Sequence, residues 1–363
     1  MLRITVRSIG AVAGAAALAA AGSMVAGTAS AAARPASGTG YSVTGSLTAV
    51  AATSAGNAWA VGSAGSNSLI LRWNGRSWAR QSSPKGVLTA VAASSATNAW
   101  AVGSTGSSGS ALTLHWNGKS WQRVSVPSPG GKFLAGVATT SASNAWAVGS
   151  SGTSALLLHW NGKKWSRVAA PAVRKSYPQE TYTLNGVSAS SPSNVWMVGM
   201  LIFPVAGPAG GVTLHWNGKK WSEGPTPAGI QSSVAAASAS DVWTSGCACG
   251  GNPGIFDTTH WNGKSWSRPR NPFPGVNNGI DWGEGVVAAA PGAAWAAGGY
   301  SISGSETPFL MRWTGSAWKL TGFAPKKPTF SGVAVTSAKN AWAVGATSAG
   351  KTLILHWNGS AWH

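Results

Sequence analysis

Five of the six histidines occupy one repeated position, directly before a tryptophan, and repeated histidines are candidate metal ligands or general bases. They are His115, His159, His215, His260 and His356. In two further copies of the pattern the same position holds Arg72 and Arg312. Because arginine stays protonated and has no lone pair to offer a metal, this exchange favours a packing role. The pattern therefore predicts neither a metal site nor another cofactor.

A second set of residues combines aromatic rings with carboxylates in the longer segments that join the later repeats. It comprises Trp282, Tyr177, Tyr182, Tyr300, Asp281, Glu284 and Asp257. Aromatic faces beside carboxylates suit sugars, because a flat apolar ring packs against a pyranose while carboxylates accept hydrogen bonds from its hydroxyl groups. Two alternatives stay open. These residues belong to ordinary solvated loops, or Asp281 and Glu284 form the acid/base pair of a glycosidase, whose carboxyl groups stand roughly 5–10 Å apart.

A third set is basic and recurs next to an Asn-Gly pair. It comprises Lys119, Lys163, Lys164, Lys219, Lys220 and Lys264, together with Arg76. The whole chain is strongly basic, with 26 lysines and arginines against 7 acidic residues. A solvated rim explains lysines at turns, whereas the functional alternative is an anionic polymer of the cell wall. Nucleic acid is not an expected partner outside the cell.

The two cysteines, Cys247 and Cys249, lie two residues apart in a glycine-rich segment. In an oxidising compartment a local disulfide is expected, and a zinc site is disfavoured because two thiolates alone do not complete its ligand set. No nucleophile elbow, phosphate-binding loop or zinc-protease motif occurs in the sequence. No catalytic residue is therefore assigned.

All these residues are positioned by a motif that occurs seven times, in which a second tryptophan follows the first by five residues. The pairs are Trp73/Trp78, Trp116/Trp121, Trp160/Trp165, Trp216/Trp221, Trp261/Trp266, Trp313/Trp318 and Trp357/Trp362. Asn-Gly lies between them in six copies and Thr314-Gly315 in the other. Asn-Gly between strand-forming residues predicts a two-residue type I′ hairpin turn. Each copy is therefore predicted to form a β-hairpin, in which a two-residue turn joins two strands.

A third tryptophan recurs ahead of each pair, in a Trp-Ala-Val-Gly pattern. It is found at Trp59, Trp100, Trp146, Trp196, Trp243, Trp295 and Trp342, at intervals of 41–52 residues. Four short strands per unit at this period predict a propeller blade. Residues 46–363 are thus expected to form an all-β, seven-bladed β-propeller of four-stranded antiparallel blades. Residues 41–43 are expected to extend the edge of the last blade and close the ring, since exposed edges are avoided.

The four strands of a blade, a to d from the axis outward, place the turns a–b and c–d at one end of the ring. The b–c loops and d–a connectors lie at the other end, and there the length varies most. The longer segments fall in blades 4 to 6. They are Met200–Gly211, Cys247–Thr259, Tyr300–Pro308, Ala169–Thr183 and Pro269–Gly285. Binding residues concentrate on loops that a rigid scaffold holds, so the aromatic and acidic set is expected to act at this end.

The repeat resembles those of kelch, galactose-oxidase-type and tectonin-type β-propellers. It consists, in order, of a strand of small residues, the Trp-Ala-Val-Gly strand, an apolar strand, Asn-Gly and a final tryptophan. The resemblance covers residues 46–363 and implies a propeller fold. The paired glycine of these repeats appears only at Gly298-Gly299. Copper chemistry of the galactose-oxidase type does not carry over, because Cys247 neighbours no tyrosine in the sequence.

Residues 1–33 read as a secretory signal peptide. Arg3 and Arg7 precede an alanine-rich apolar run, and Ala29-Ser30-Ala31 offers a cleavage site. Residues 34–45 follow as a flexible Gly/Ser/Pro linker, and no later apolar run approaches the roughly 20 residues of a membrane span. A secreted, extracellular monomer without a membrane span after signal cleavage is predicted.

The sequence therefore favours an exported, non-enzymatic binding module that recognises a glycan or an anionic wall polymer. A propeller enzyme, either a glycosidase or a lyase acting through the loops of blades 4–6, is the first alternative. An extracellular scaffold for protein interactions is the second.

Overall fold

A computed structural model describes residues 41–106, 109–127, 133–174, 177–203, 207–224, 229–247, 256–273, 280–302, 305–323 and 327–363. Within these ranges the chain forms 27 β-strands and no helix. The strands of blades 1–3 are β1 (Ser46–Ser54), β2 (Asn57–Ala64), β3 (Asn67–Trp73), β4 (Trp78–Gln81); β5 (Val87–Ser95), β6 (Asn98–Ser104), β7 (Ala111–Trp116), β8 (Trp121–Arg123); and β9 (Phe133–Ser141), β10 (Asn144–Ser151), β11 (Ser154–Trp160), β12 (Trp165–Arg167).

The remaining four blades continue the same order. Their strands are β13 (Thr181–Ser191), β14 (Asn194–Phe203), β15 (Gly207–Trp216), β16 (Trp221–Glu223); β17 (Ile230–Ser238), β18 (Asp241–Cys247), β19 (Phe256–Trp261), β20 (Trp266–Ser267); β21 (Ile280–Ala290), β22 (Ala293–Ile302), β23 (Ser305–Trp313), β24 (Trp318–Leu320); and β25 (Thr329–Ser337), β26 (Asn340–Ala346), β27 (Thr352–Trp357).

Each blade is an antiparallel sheet whose strands pair in chain order. The first strands of successive blades contact one another, and β25 of blade 7 contacts β1 of blade 1. These inner strands are rich in small residues, such as the fully buried Ala49, Val50 and Ala51. Small side chains let seven strands crowd around one axis, and the chain is thus the all-β, seven-bladed propeller that the repeat predicts.

Three tryptophans meet at every interface between blades, and this explains the motif. The strand b tryptophan of one blade packs against the strand c and strand d tryptophans of the next. At the interface of blades 1 and 2, the ring centroid of Trp59 lies 4.9 Å from Trp116 and 5.1 Å from Trp121. Trp342 of blade 7 meets Trp73 and Trp78 of blade 1 at 5.2 and 5.1 Å, which closes the ring.

The outer edge of β27 is covered by two short segments, one around Val43 ahead of blade 1 and one directly after β27. The His363 N–H donates to the His356 carbonyl at 3.0 Å, and the Thr352 N–H donates to the Val43 carbonyl at 2.8 Å. The outer edge is therefore paired at both of its ends, and residues 41–43 supply one of the two segments, as expected. Part of the predicted linker, from Val43 onward, belongs to the ring.

The turn between strands c and d is not the predicted two-residue type I′ turn. The paired tryptophans, such as Trp73 and Trp78, enclose a four-residue loop. Only the glycine has a positive φ, for example 92° at Gly75, whereas a type I′ turn requires two such residues. The Asn74 side chain accepts hydrogen bonds from the backbone N–H groups of Arg76 and Ser77, both at 2.9 Å. Asparagine thus shapes the loop through its side chain.

Two of the predicted long loops are strand extensions. In blade 4, β14 runs to Phe203 and β15 begins at Gly207, so most of Met200–Gly211 is sheet. In blade 6, β22 and β23 likewise contain most of Tyr300–Pro308, and β21 begins at Ile280, inside the predicted connector. Added residues of strand b also pair with strand a, as Leu201 with Tyr182 and Ser301 with Trp282. The segments lengthen as sheet because their backbone groups find partners there.

The predicted signal peptide lies outside the described residues. Within the described part of the chain, no helix has the length and apolar character of a membrane span.

Candidate binding site at the turn face

One end of the ring, called the turn face below, is formed by the a–b turns and the c–d loops of all blades. The two kinds of turn pack on each other within a blade, as Gly162 does on Ser143 and Gly263 on Ser240. The six predicted lysines and Arg76 lie on this face, because each belongs to a c–d loop that asparagine shapes. The opposite end, formed by the b–c turns and the d–a connectors, is called the connector face.

All seven of these basic side chains are exposed. Among the residues that the structure describes, the carboxylates that contact a basic side chain are Asp241, beside His260, and Asp257, beside Arg268, and neither contact uses one of these seven residues. Their charges therefore face the solvent without a neutralising partner in the described chain. The loops of blades 3 and 4 each carry two of them, at Lys163, Lys164, Lys219 and Lys220.

Behind the turns, the repeated histidines form a polar layer over the tryptophans. The His115 ring stacks on Trp100 at a centroid distance of 4.4 Å, and its Nε2 lies 2.8 Å from Asn98 Oδ1. The Asn98 amide nitrogen donates to Ser94, so its oxygen faces the imidazole and the neutral ring donates from Nε2. His159, His215 and His356 repeat this arrangement. Arg72 instead places its guanidinium 5.0 Å from the ring centroids of Trp59 and Trp116.

Acidification is expected to destabilise the protein as the pH falls through about 6.5. Burial lowers the pKa of His115, His159, His215 and His356, the last also through the charge of His363. Unfolded histidine titrates near pH 6.5, so below that pH the unfolded chain binds protons that the folded chain does not, and stability is lost. Urea midpoints measured between pH 8 and pH 5 check this. His115→Gln with His159→Gln is expected to flatten the slope, and an unchanged slope contradicts the assignment.

Two neighbouring interfaces, between blades 3 and 4 and between blades 4 and 5, are more open than the others. Trp146 lies 6.0 Å from Trp216, and Trp196 lies 5.8 Å from Trp261. At the other five interfaces the corresponding distances from the strand b ring are 4.8–5.2 Å. The strand c and strand d tryptophans of these two interfaces, Trp216, Trp221, Trp261 and Trp266, are partly exposed.

Each open interface holds a pocket that reaches the turn face. The pocket between blades 3 and 4 measures about 370 Å³ and is lined by Trp146, His159, Trp216 and Trp221, with Gly218 from the loop that carries Lys219 and Lys220. The second pocket, between blades 4 and 5, measures about 290 Å³. Its lining includes Trp196, His215 and Trp261, with Gly263 from the loop that carries Lys264. Both pockets thus combine indole and imidazole groups with nearby lysines.

A one-residue change in strand b coincides with the opening of both interfaces. The residue opposite the strand c tryptophan is alanine in blades 1, 2, 3 and 7, as in the pair Ala145 and Trp160. In blades 4 and 5 it is valine, in the pairs Val195 with Trp216 and Val242 with Trp261. Directly paired residues project on the same face of the sheet. The two additional methyl groups occupy space beside the indole, which accounts for its displacement from the neighbouring blade.

The pocket between blades 4 and 5 also contains a carboxylate. The second residue after the strand d tryptophan is arginine in blades 1–3, at Arg80, Arg123 and Arg167, whereas the equivalent residue of blade 4 is Glu223. Glu223 lines the pocket, and its Oε2 accepts a hydrogen bond from the Arg174 N–H at 2.8 Å. The two pockets therefore differ in charge, although they share their aromatic walls.

On the connector face, the structure separates the predicted aromatic and acidic residues. Tyr182 is 8% exposed and donates from its hydroxyl to the Pro171 carbonyl at 2.6 Å. The expectation of an exposed stacking ring is therefore wrong for Tyr182, whose pKa burial raises to about 12. Tyr300 packs on Phe273 at 5.0 Å. Tyr177 remains 56% exposed and lies 5.0 Å from Phe203.

Asp257 is buried and pairs with Arg268 at 2.6 Å, so its carboxylate is occupied within the chain. Burial raises its pKa more than the charge of Arg268 lowers it.

The backbone of Asp281, Trp282 and Glu284 lies in β21, not in the expected polar connector, and the structure does not describe their side chains. Cys247 forms a disulfide, and Cys249 lies outside the described residues.

Sequence reasoning missed the two tryptophan pockets, because their tryptophans follow the same motif as those of closed interfaces. Two signals were available: the replacement of alanine by valine in strand b of blades 4 and 5, and the replacement of arginine by Glu223. Neither change indicates a pocket until the blade interfaces are known.

Comparisons with known proteins support the fold. No protein-family model and no curated protein matches the sequence. YCF48 from Cyanidioschyzon merolae has a TM-score of 0.56 at 15% identity, covering 85% of this chain and 95% of that one. The β-propeller domain of the Trilobed protease from Pyrococcus furiosus has a TM-score of 0.55 at 10% identity, covering 88% and 95%. The RRP9 WD40 repeats reach 0.55 at 13% identity, covering 83% and 87%.

At these identities the similarity concerns the propeller fold alone. The resemblance to kelch, galactose-oxidase-type or tectonin-type repeats remains a sequence-based expectation.

Proposed function

We propose that this chain is an exported, non-enzymatic binding module that holds an anionic glycan of the cell envelope on its turn face. The observation that carries the proposal is the coincidence of two features. The two interfaces that open into tryptophan-lined pockets are bordered by loops that carry Lys219, Lys220 and Lys264.

The two features supply complementary chemistry. A partly exposed indole presents an apolar face together with an N–H donor, which suits the CH-rich face and the hydroxyl groups of a sugar ring. A lysine ammonium is a compact point charge on a flexible stem and pairs with a carboxylate, phosphate or sulfate without fixed geometry. A polymer of charged sugars meets both requirements at once, and export follows from the signal-like residues 1–33.

Replacing Lys219, Lys220 and Lys264 with serine is expected to weaken binding to polygalacturonate by about 3- to 100-fold. The estimate assumes roughly 0.2–1 kcal/mol for each exposed charge and about 1.4 kcal/mol for each tenfold change in affinity. Retention at increasing salt measures it, since exposed charges are screened beyond ~10 Å at 0.1 M. The matched control replaces Lys85, Lys327 and Lys351, three exposed lysines of the connector face, with serine. Equal losses in the two triple variants contradict a site on the turn face.

A second comparison separates sugar recognition from charge alone. Polyglutamate carries the same kind of charge without a sugar ring, so wild-type protein is expected to bind polygalacturonate more tightly at equal charge density. Trp216→Leu is expected to remove that preference and leave polyglutamate binding unchanged, with the melting temperature measured in parallel. Equal affinity for both polymers in the wild type overturns the glycan assignment.

A further inference from the structure

We propose a second binding site for one uncharged, hydroxyl-bearing sugar ring, in a notch between blades 3 and 4 on the connector face. It lies at the end of the ring opposite to the proposed anionic-glycan site, and its residues are not shared with that site. The notch measures about 330 Å³, within the size range of small-molecule sites. Its lining residues are Phe133, Ala135, Ser150, Thr183, Leu184, Asn185 and Met200.

The notch lies where one blade lacks a hydrogen bond that others form. The Thr48 hydroxyl of blade 1 donates to the Leu88 carbonyl of blade 2 at 2.8 Å, and Thr89 of blade 2 donates to the Leu134 carbonyl of blade 3 at 2.6 Å. The equivalent residue of blade 3 is Ala135, which has no hydroxyl to donate to Leu184 of blade 4. Asn185 of blade 4 restores the pattern by donating to the Gln231 carbonyl of blade 5 at 3.1 Å. The missing threonine side chain thus leaves both a space and a lost interblade contact.

A buried polar atom without a partner marks the same place. The Thr183 side chain is 7% exposed, and its hydroxyl has no hydrogen-bond partner in the structure. An unsatisfied buried hydroxyl is unfavourable, and most such groups are paired with protein, water or ligand. Thr183 pairs across the sheet with Met200, and Phe133 pairs with Ser150. The notch therefore places two hydroxyl groups beside an aromatic ring and a thioether.

This lining defines the class of ligand. None of the seven lining residues is charged, so an ionised ligand would lose its hydration without gaining a counter-charge. Phe133 and Met200 offer apolar contact, while Ser150, Thr183 and the Asn185 amide exchange hydrogen bonds with hydroxyl groups. A neutral pyranose has an apolar CH face and hydroxyl groups at its rim, and one such ring fits the volume of the notch. The notch accordingly favours a neutral over a charged sugar.

Two variants test the site in the full chain. Ala135→Thr fills the notch and supplies the missing donor, so it is expected to raise the melting temperature and to abolish binding. Thr183→Val keeps the shape and removes the unpaired hydroxyl, so it is expected to weaken binding about fivefold without lowering the melting temperature. A residue that serves only to pack the interface would not weaken binding on this isosteric exchange.

The probes are methyl β-D-glucopyranoside, methyl β-D-galactopyranoside and methyl α-D-mannopyranoside, with D-galacturonate as the charged comparator, measured by saturation-transfer NMR and thermal shift. At least one neutral pyranoside is expected to bind the wild type, and its signal is expected to disappear in Ala135→Thr. If none of the three gives a signal that Ala135→Thr removes, the notch holds only water and the proposal fails. Retention on polygalacturonate is expected to be the same in wild type and Ala135→Thr, so this outcome is separate from a failure of the turn-face site.

Discussion

Trp100→Ala is expected to lower the free energy of unfolding by ~3–5 kcal/mol, the cost of truncating a buried aromatic side chain. Trp100 has no exposed surface. Its ring lies 4.9 Å from both Trp160 and Trp165 of the next blade and stacks on His115 of its own. The substitution removes one ring from each of these contacts and leaves a cavity between two blades. The blades cannot approach each other to fill the cavity, because that movement would open another interface of the ring.

Calorimetry of the variant should show one transition, with a melting temperature lower by on the order of 10 °C. The estimate uses a shift of roughly 2–4 °C for each kcal/mol, as found for large domains. Each blade packs between two neighbours in a closed ring, so the loss is expected to be global. The matched control is Trp261→Ala, which removes a partly exposed tryptophan from an already open interface and should cost less. A second transition that leaves the other blades folded, or equal losses in both variants, contradicts this account of the interfaces.

The blade architecture could be predicted because the sequence repeats the interface seven times. Trp59, Trp73 and Trp78 lie on three different strands, and only stacking of successive blades brings a strand b tryptophan onto the strand c and strand d tryptophans of its neighbour. A fixed spacing between the last two also fixed their pairing, which the structure shows as Trp73 opposite Trp78. Periodic placement of a large apolar residue thus indicates both the strands and the ring they form.

The conformation of the c–d loop could not be obtained from the same motif. Asn-Gly forms a type I′ turn when both residues adopt positive φ. It forms a loop capped by the asparagine side chain when only the glycine does. The choice depends on where the strands stop pairing. That point is set by the packing of the loop on the a–b turn, as Gly162 packs on Ser143, and not by the local sequence.

The candidate sites were still less accessible to sequence reasoning. Tyr182 was expected on a loop, yet β13 extends to Thr181 and turns its side chain into the core between blades 3 and 4. The tryptophan pockets depend on ring distances of 6.0 and 5.8 Å in place of 4.9–5.2 Å, at the two interfaces where Val195 and Val242 pair with the strand c tryptophan. Such differences in ring distance depend on how side-chain volumes fit together across an interface. The repeat pattern of one strand carries no information about that fit.

Gly103→Ala is expected to destabilise the protein by at least about 1–3 kcal/mol, the usual cost of overpacking, although the change is one methyl group. Gly103 is the glycine of Trp-Ala-Val-Gly in blade 2. A β-bulge in the neighbouring strand a, between Leu88 and Ala90, brings that strand close to it. A Cβ at Gly103 would lie 2.0 Å from the Val87 carbonyl oxygen and 2.9 Å from Leu88 Cα. Both are backbone atoms, which cannot rotate out of the way as a side chain would.

The same contact recurs in five other blades, where a Cβ would lie 1.8–2.1 Å from a carbonyl oxygen at Gly62, Gly149, Gly199, Gly246 and Gly345. Gly299→Ala in blade 6, one residue beyond the position equivalent to Gly103, is the control, because the nearest atom to its Cβ would lie at an ordinary 3.6 Å. The control is expected to stay within about 0.5 kcal/mol of wild type, while the urea midpoint of Gly103→Ala falls at an unchanged m-value. A Gly103→Ala variant as stable as Gly299→Ala would mean that strand a can shift away from strand b. The repeated glycine would then not be required by the bulge, and its recurrence in the motif would need another cause.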